Sequence, residues 1–132
     1  MILLDSSARL EVLTRGPNSS AFEQYVEEAN QILVPTIVLE VYKIIRRRRP
    51  EEDAEEAAFL LTGHLLIDLD DCMALAAAET SLERGLAMAD ATVYTTAQLH
   101  DATLVTGDAD FEGLPGVEYI PAPSAASGNA DQ

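Results

Sequence analysis

Five acids stand where a fold would gather side chains for chemistry: Asp5, Glu40, Asp90, Asp108 and Asp110. Asp5 closes the apolar run Met1-Ile2-Leu3-Leu4 and precedes Ser6-Ser7, and Glu40 interrupts Ile37-Val38-Leu39-Glu40-Val41. Asp90 opens a helical stretch, while Asp108 and Asp110 share the segment Thr106-Gly107-Asp108-Ala109-Asp110-Phe111. Carboxylates brought into one crevice repel: two charges about 4 Å apart cost roughly 4 kcal/mol at an effective dielectric near 20. Such a cluster must take up protons or bind cations. Ligation by oxygen alone favours a hard ion, Mg²⁺ or Mn²⁺. An ion held this way can activate a water, orient a phosphodiester and stabilise the departing oxygen, so no side-chain nucleophile is needed. Ser6 and Thr106 sit beside the acids and offer hydroxyls to a ligand oxygen or to a metal-held water.

The elements that must position these acids are legible in outline. Ile2–Leu4 reads as a buried strand, followed by a helix over about Ser7–Thr14 that stops at Gly16-Pro17. A second helix covers about Ser20–Ala29, with Phe22, Tyr25 and Val26 at helical spacing, and Ile32–Val34 is a second strand. Pro35-Thr36 opens a third helix, with Thr36 as cap, which places Glu40 about one turn inside it. Glu51 to about Leu61 is helical and acidic at its start, where the helix dipole favours acids. Leu65–Ile67 is a strand, Asp70 or Asp71 caps a helix that Gly85 stops, and Ala89 to about His100 is the last helix. Ala102–Thr106 and Val117–Ile120 complete five strands. Short apolar strands alternating with helices imply an α/β fold, a three-layer α/β/α sandwich around a mostly parallel five-stranded sheet. Such sheets bind ligands beyond the C-terminal ends of their strands. Asp5, Glu40, Asp90 and Asp108 all fall near a strand's C-terminal edge or a neighbouring helix start.

Each acid also has a plainer role open to it. Asp5 and Asp90 can serve as helix caps, Glu40 can pair with Lys43 one turn on, and Asp108 can be turn chemistry. Lys43 and Arg47 share a helix face with Glu40 at three- and four-residue steps, which makes them candidates for contacting substrate phosphate. Salt bridges from this basic stretch to Glu51–Glu56 are the competing reading. His64 and His100 lie in no metal-binding pattern and read as structural or surface residues. Cys72 reads as packing, and Met73, Leu75, Leu82 and Leu86 as core or dimer contacts. The seven glycines form no phosphate-binding loop, so nucleotide cofactors are not indicated.

A length of 132 residues with 48% hydrophobic content suits one domain. The expected domain spans residues 1–120, and the Pro-, Ala-, Ser- and Gly-rich stretch 121–132 is expected to be disordered. No apolar run approaches the ~20 residues that span a membrane, no basic leader precedes the first strand, and one cysteine forms no internal disulfide. A soluble cytoplasmic protein is the expectation. Twenty-three acids against eight bases give a net charge of −15, which is unusual for a nucleic-acid binder. It is compatible with metal-binding acids, a basic protein partner or a salty cytoplasm.

The segments Met1-Ile2-Leu3-Leu4-Asp5-Ser6-Ser7, Val38-Leu39-Glu40-Val41, Ala89-Asp90-Ala91 with Ala97, and Leu104-Val105-Thr106-Gly107-Asp108-Ala109-Asp110-Phe111 together resemble the PIN domain. Their order and spacing are most similar to VapC-type toxins of bacterial and archaeal toxin–antitoxin pairs, over about residues 1–120. The resemblance implies an endoribonuclease using Mg²⁺ or Mn²⁺, usually a homodimer, held inactive by an antitoxin. It maps the family's acidic quartet onto Asp5, Glu40, Asp90 and Asp108, with Asp110 accessory. An antitoxin with a basic C-terminal segment, inserting an arginine among the carboxylates, would suit the negative charge. Two other functions fit the same residues: a metal-dependent nuclease or phosphatase acting on another phosphoester such as DNA, and a non-catalytic PIN-like protein that binds a partner.

Overall fold

Strands of three or four residues suffice here because the central ones are buried on both faces, so every side chain in them contributes to the core. In the computed structural model, which describes residues 1–123, β1 (Ile2–Leu4) and β2 (Ile32–Pro35) are buried along their whole length. The remaining strands are β3 (Leu65–Ile67), β4 (Thr103–Thr106) and β5 (Val117–Tyr119). Six helices connect them among the described residues: α1 (Ser6–Leu13), α2 (Ser19–Glu28), α3 (Val41–Arg48), α4 (Glu51–Thr62), α5 (Asp71–Arg84) and α6 (Met88–Leu99). Short 3₁₀ turns at Thr36–Glu40 and Ala109–Phe111 follow β2 and β4.

All strand pairings are parallel, in the order β3-β2-β1-β4-β5. The chain steps outward from β1 through β2 to β3, then crosses back to β4 on the other side of β1. Right-handed crossovers therefore put α1–α4 on one face and α5–α6 on the other, which makes three layers. The reversal of direction lies between β1 and β4, where open α/β sheets have their ligand crevice. Register does the rest: Leu4 pairs with Val105, so the next residues, Asp5 and Thr106, emerge side by side.

Alternation along β1 divides the core. Leu3 joins Leu33, Leu104, Ala91, Tyr94, Ala97 and Phe111 in one cluster, while Ile2 and Leu4 join Ala8, Phe22, Ile32 and Val105 in another. The rings of Tyr94 and Phe111 stack with centroids 6.5 Å apart, and the Tyr94 hydroxyl donates to the Pro115 carbonyl at 2.7 Å. The Arg84 guanidinium lies over the Tyr94 ring, 5.2 Å from its centroid.

Asp70 caps α5 by accepting from the Met73 amide at 2.8 Å, and Gly85 ends that helix at φ 69°, both as the sequence predicts. Several local expectations need correction. The segment after β2 opens as a 3₁₀ turn with Pro35 at the cap position and no side-chain cap bond, so Thr36 caps nothing; Glu40 sits about one turn in, where the 3₁₀ turn runs directly into α3. Proline's missing N–H and fixed φ suit this tight entry. Leu65 and Leu66 of β3 are exposed, because β3 is an edge strand with one neighbour. Of the four residues assigned to core or dimer contact, Met73 and Leu86 are buried, whereas Leu75 and Leu82 are 70% and 81% exposed. Cys72 is exposed rather than packed, since it falls on the solvent side of α5 one position before Met73. His100 closes α6 through a 2.8 Å contact between Nδ1 and the Thr96 carbonyl, and His64 lies exposed at the start of β3. No helix among the described residues is long and apolar enough to cross a membrane. The expectation for the tail covers residues 121–132, of which 124–132 lie outside the described residues.

Candidate metal centre

Asp5, Glu40, Asp90 and Asp108 line one open cavity of about 260 Å³, together with Ser6, Ser7, Leu10, Ile37, Ala89 and Val93. A larger hollow of about 450 Å³ lies among α1, α2, α3 and α4 and contains none of these acids. Convergence of like charges, not volume, distinguishes the smaller one.

Asp5 is the most constrained member. As the residue following β1 it caps α1, Oδ1 accepting from the Ala8 amide at 3.0 Å and from the Ser7 hydroxyl at 2.7 Å. Its Oδ2 accepts from the Thr106 hydroxyl at 2.6 Å. The plain cap and the role in an acidic cluster thus coexist in one side chain. Burial pushes the Asp5 carboxyl above its ordinary value, against the opposing pull of these three hydrogen bonds, and repulsion from Asp108 adds to the rise.

Asp90 stands on α6, whose residues Ala91–Ala97 are all buried, so its mount is rigid. It makes no side-chain cap bond; the α6 cap position belongs to Ala87. Burial, then the charges of Asp108, Asp110, Asp5 and Glu40, push Asp90 up to about 6. Four acids from three segments are thus felt at one carboxyl. Asp108 caps the short turn after β4 by accepting from the Asp110 amide at 2.9 Å, so its turn role is also real. Carboxylate oxygens of Asp90, Asp108 and Asp110 lie within 4.8 Å of one another. That spacing and an all-oxygen donor set fit a hard divalent cation.

Glu40 reaches the crevice from an exposed position, not from the buried one its apolar flanks imply. Its 3₁₀ turn presents Val38 to the core and the glutamate to solvent. The pairing with Lys43 does not form: the ion pair found among the described residues joins Arg46 to Glu51 at 3.7 Å. Lys43 and Arg47 are exposed on α3, outside the crevice lining, and neither pairs with Glu51–Glu56. Ser6 lines the crevice.

Ser7 is the residue that sequence reasoning missed. Its hydroxyl also accepts from the Gly107 amide at 3.1 Å, bridging the β1 and β4 ends. The signal was present: an aspartate cap followed by a serine at the second helical position places the hydroxyl within reach of the cap carboxylate.

The PIN domain family model matches residues 2–117. No curated protein matches the chain significantly. Among solved structures, one chain of a toxin–antitoxin complex from Klebsiella pneumoniae is 25% identical at a TM-score of 0.75, covering 91% of this chain and 100% of its own. A chain of VapBC2 from Rickettsia felis, solved bound to a promoter DNA fragment, is 20% identical at a TM-score of 0.69, covering 93% and 100%. The Mycobacterium tuberculosis toxin VapC20, which cleaves the sarcin–ricin loop, is 18% identical at a TM-score of 0.69, covering 85% and 92%. With a family model matched from β1 to β5 and the acids in one crevice at the β1–β4 reversal, the chain belongs to the PIN-domain family and carries the fold of its VapC-type toxins.

Proposed function

We propose that this protein is an endoribonuclease that hydrolyses RNA phosphodiesters with Mg²⁺ or Mn²⁺, and that it is the toxin of a VapBC-type pair. The observation that carries this reading is the convergence of Asp5, Glu40, Asp90 and Asp108 on one crevice, with Asp90 pushed up to about 6 by its neighbours. A site so uncomfortable without positive charge is matched to a cation.

Asp5, Glu40, Asp90 and Asp108 hold the ion in this reading, with Asp110 as an accessory acid. The bound cation supplies Lewis acidity and charge neutralisation for the phosphodiester. The chain's own groups do the rest. Thr106 and the Ala8 amide hold the Asp5 carboxylate in one orientation, and α6, buried from Ala91 to Ala97, anchors Asp90. The Ser6 hydroxyl lies on the crevice wall, available to a phosphate oxygen. Lys43 and Arg47, without ion-pair partners among the described residues, hold substrate phosphate along α3.

Purified protein with Mn²⁺ is expected to cut RNA, and excess chelator to stop it; cutting that persists in chelator defeats the mechanism. Lys43→Ala/Arg47→Ala is expected to raise KM about tenfold with kcat little changed and to flatten the salt dependence, as loss of phosphate contacts does. Unchanged affinity and salt slope would remove these residues from the substrate path.

The partner in this reading is an antitoxin with a basic C-terminal segment, whose arginine competes for the site's charge. The net charge of −15 favours such a partner electrostatically. Homodimerisation is part of the same proposal, with Leu75 and Leu82 of α5 available to bury. A co-expressed basic neighbour is expected to co-purify and to relieve growth arrest.

A further inference from the structure

Two hydroxyls tie the β1 end to the β4 end with matching connections. The Ser7 hydroxyl donates to Asp5 Oδ1 at 2.7 Å and accepts from the Gly107 amide at 3.1 Å. The Thr106 hydroxyl donates to Asp5 Oδ2 at 2.6 Å and accepts from the Asp108 amide at 2.9 Å. A hydroxyl has one proton. Both protons are spent on Asp5, so the 3.4 Å approach between the two hydroxyl oxygens adds no further bond. The result is a clamp in which each oxygen of one carboxylate is linked, through one hydroxyl, to one of two successive amides. Those amides belong to the segment that carries Asp108.

The same bonds determine which lone pairs remain. Oδ1 accepts from both Ser7 and Ala8, which fills it, while Oδ2 accepts from Thr106 alone. One acceptor direction of Asp5 stays open, on Oδ2. We infer that Ser7 is a positioning residue: with Thr106 it fixes the separation of Asp5 and Asp108 and leaves Asp5 a one-oxygen ligand through Oδ2. The inference rests on the metal-binding reading of the crevice given above. Ser7 touches neither ion nor substrate in this role; it acts through Asp5 and through the Gly107 amide. Groups that orient ligands in this way set metal affinity and not only local rigidity.

The test is direct Mn²⁺ binding by electron paramagnetic resonance, with folding followed by circular dichroism. Ser7→Ala is expected to bind Mn²⁺ roughly tenfold more weakly than wild type, the scale seen when an outer partner of a metal ligand is lost. Ser7→Thr keeps the hydroxyl and is expected to recover most of the affinity. The Mn²⁺ concentration for half-maximal RNA cleavage is expected to rise in step for Ser7→Ala, with kcat at saturating Mn²⁺ largely retained. If Ser7→Ala does not fold, Ser7→Cys takes its place, similar in size but a weaker donor, with the same direction expected. A folded variant lacking the hydroxyl that binds Mn²⁺ as wild type does overturns the clamp. A Ser7→Thr protein as weak as Ser7→Ala overturns it as well, because packing would then be the cause. Wild-type protein that binds no Mn²⁺ overturns instead the metal reading on which the clamp rests.

Discussion

Asp5→Asn is expected to lower the RNA-cleaving rate at saturating Mn²⁺ by about a thousandfold, equivalent to roughly 4 kcal/mol of lost transition-state stabilisation. The fold is expected to survive, because the amide can satisfy the local bonds. Its oxygen can take the place of Oδ1 and accept from Ser7 and the Ala8 amide. Its NH₂ would then face Thr106, whose hydroxyl can turn from donor to acceptor. What the amide cannot restore is the open acceptor direction on Oδ2 or the negative charge. The measurement is single-turnover cleavage of a defined RNA, with the melting temperature of the same preparation as control. A folded Asp5→Asn protein that cleaves at the wild-type rate would remove Asp5 from the chemistry and leave it a helix cap alone.

The second large effect is on stability, and its sign depends on metal. Asp90, held at about 6 against an ordinary value of 3.8, binds its proton more tightly in the folded chain than in the unfolded one. Its contribution to the stability of the metal-free protein is therefore full below the ordinary value and is lost as pH rises toward 6. Asp5 is shifted in the same direction and adds to the trend. In chelator, Asp90→Asn is expected to be more stable than wild type at pH 8 by about 1 kcal/mol, after discounting for a partly exposed group, and to show no such advantage at pH 4. With Mn²⁺ at about one hundred times its dissociation constant, wild type is expected to gain about 2.7 kcal/mol, or a melting temperature higher by about 10 °C. Asp90→Asn should lose most of that gain. Thermal melts of both proteins, with chelator and with Mn²⁺, at pH 4 and pH 8, make the comparison. A wild-type protein that is most stable at pH 8 in chelator, and indifferent to Mn²⁺, would contradict the electrostatics of the crevice.

The identity and order of the elements follow from local signals. Ile2–Leu4, Ile32–Val34 and Leu104–Val105 are apolar runs too short for helices, and α5 is delimited by its Asp70 cap and its Gly85 stop. These are interactions between residues a few positions apart, so the sequence displays them directly. Three of the acids were recognisable for the same reason, as Asp5, Asp90 and Asp108 each fall just after such a run or at the start of a helix, while Glu40 stood out as a charge inside an apolar stretch. Their distances from one another were not. Residues 5, 40, 90 and 108 meet because β1 lies between β2 and β4 in a parallel sheet, with Leu4 in register with Val105. Strand order and register are set by long-range burial, which no local pattern encodes. The same tertiary arrangement turned Glu40 outward from an apolar stretch, put Asp110 beside Asp90 and Asp108, and made Ser7 rather than Ser6 the bridge to Gly107. A side chain's type and its place along an element are covalent facts; the partners it meets, and the charge it feels from them, come into existence only when distant segments pack.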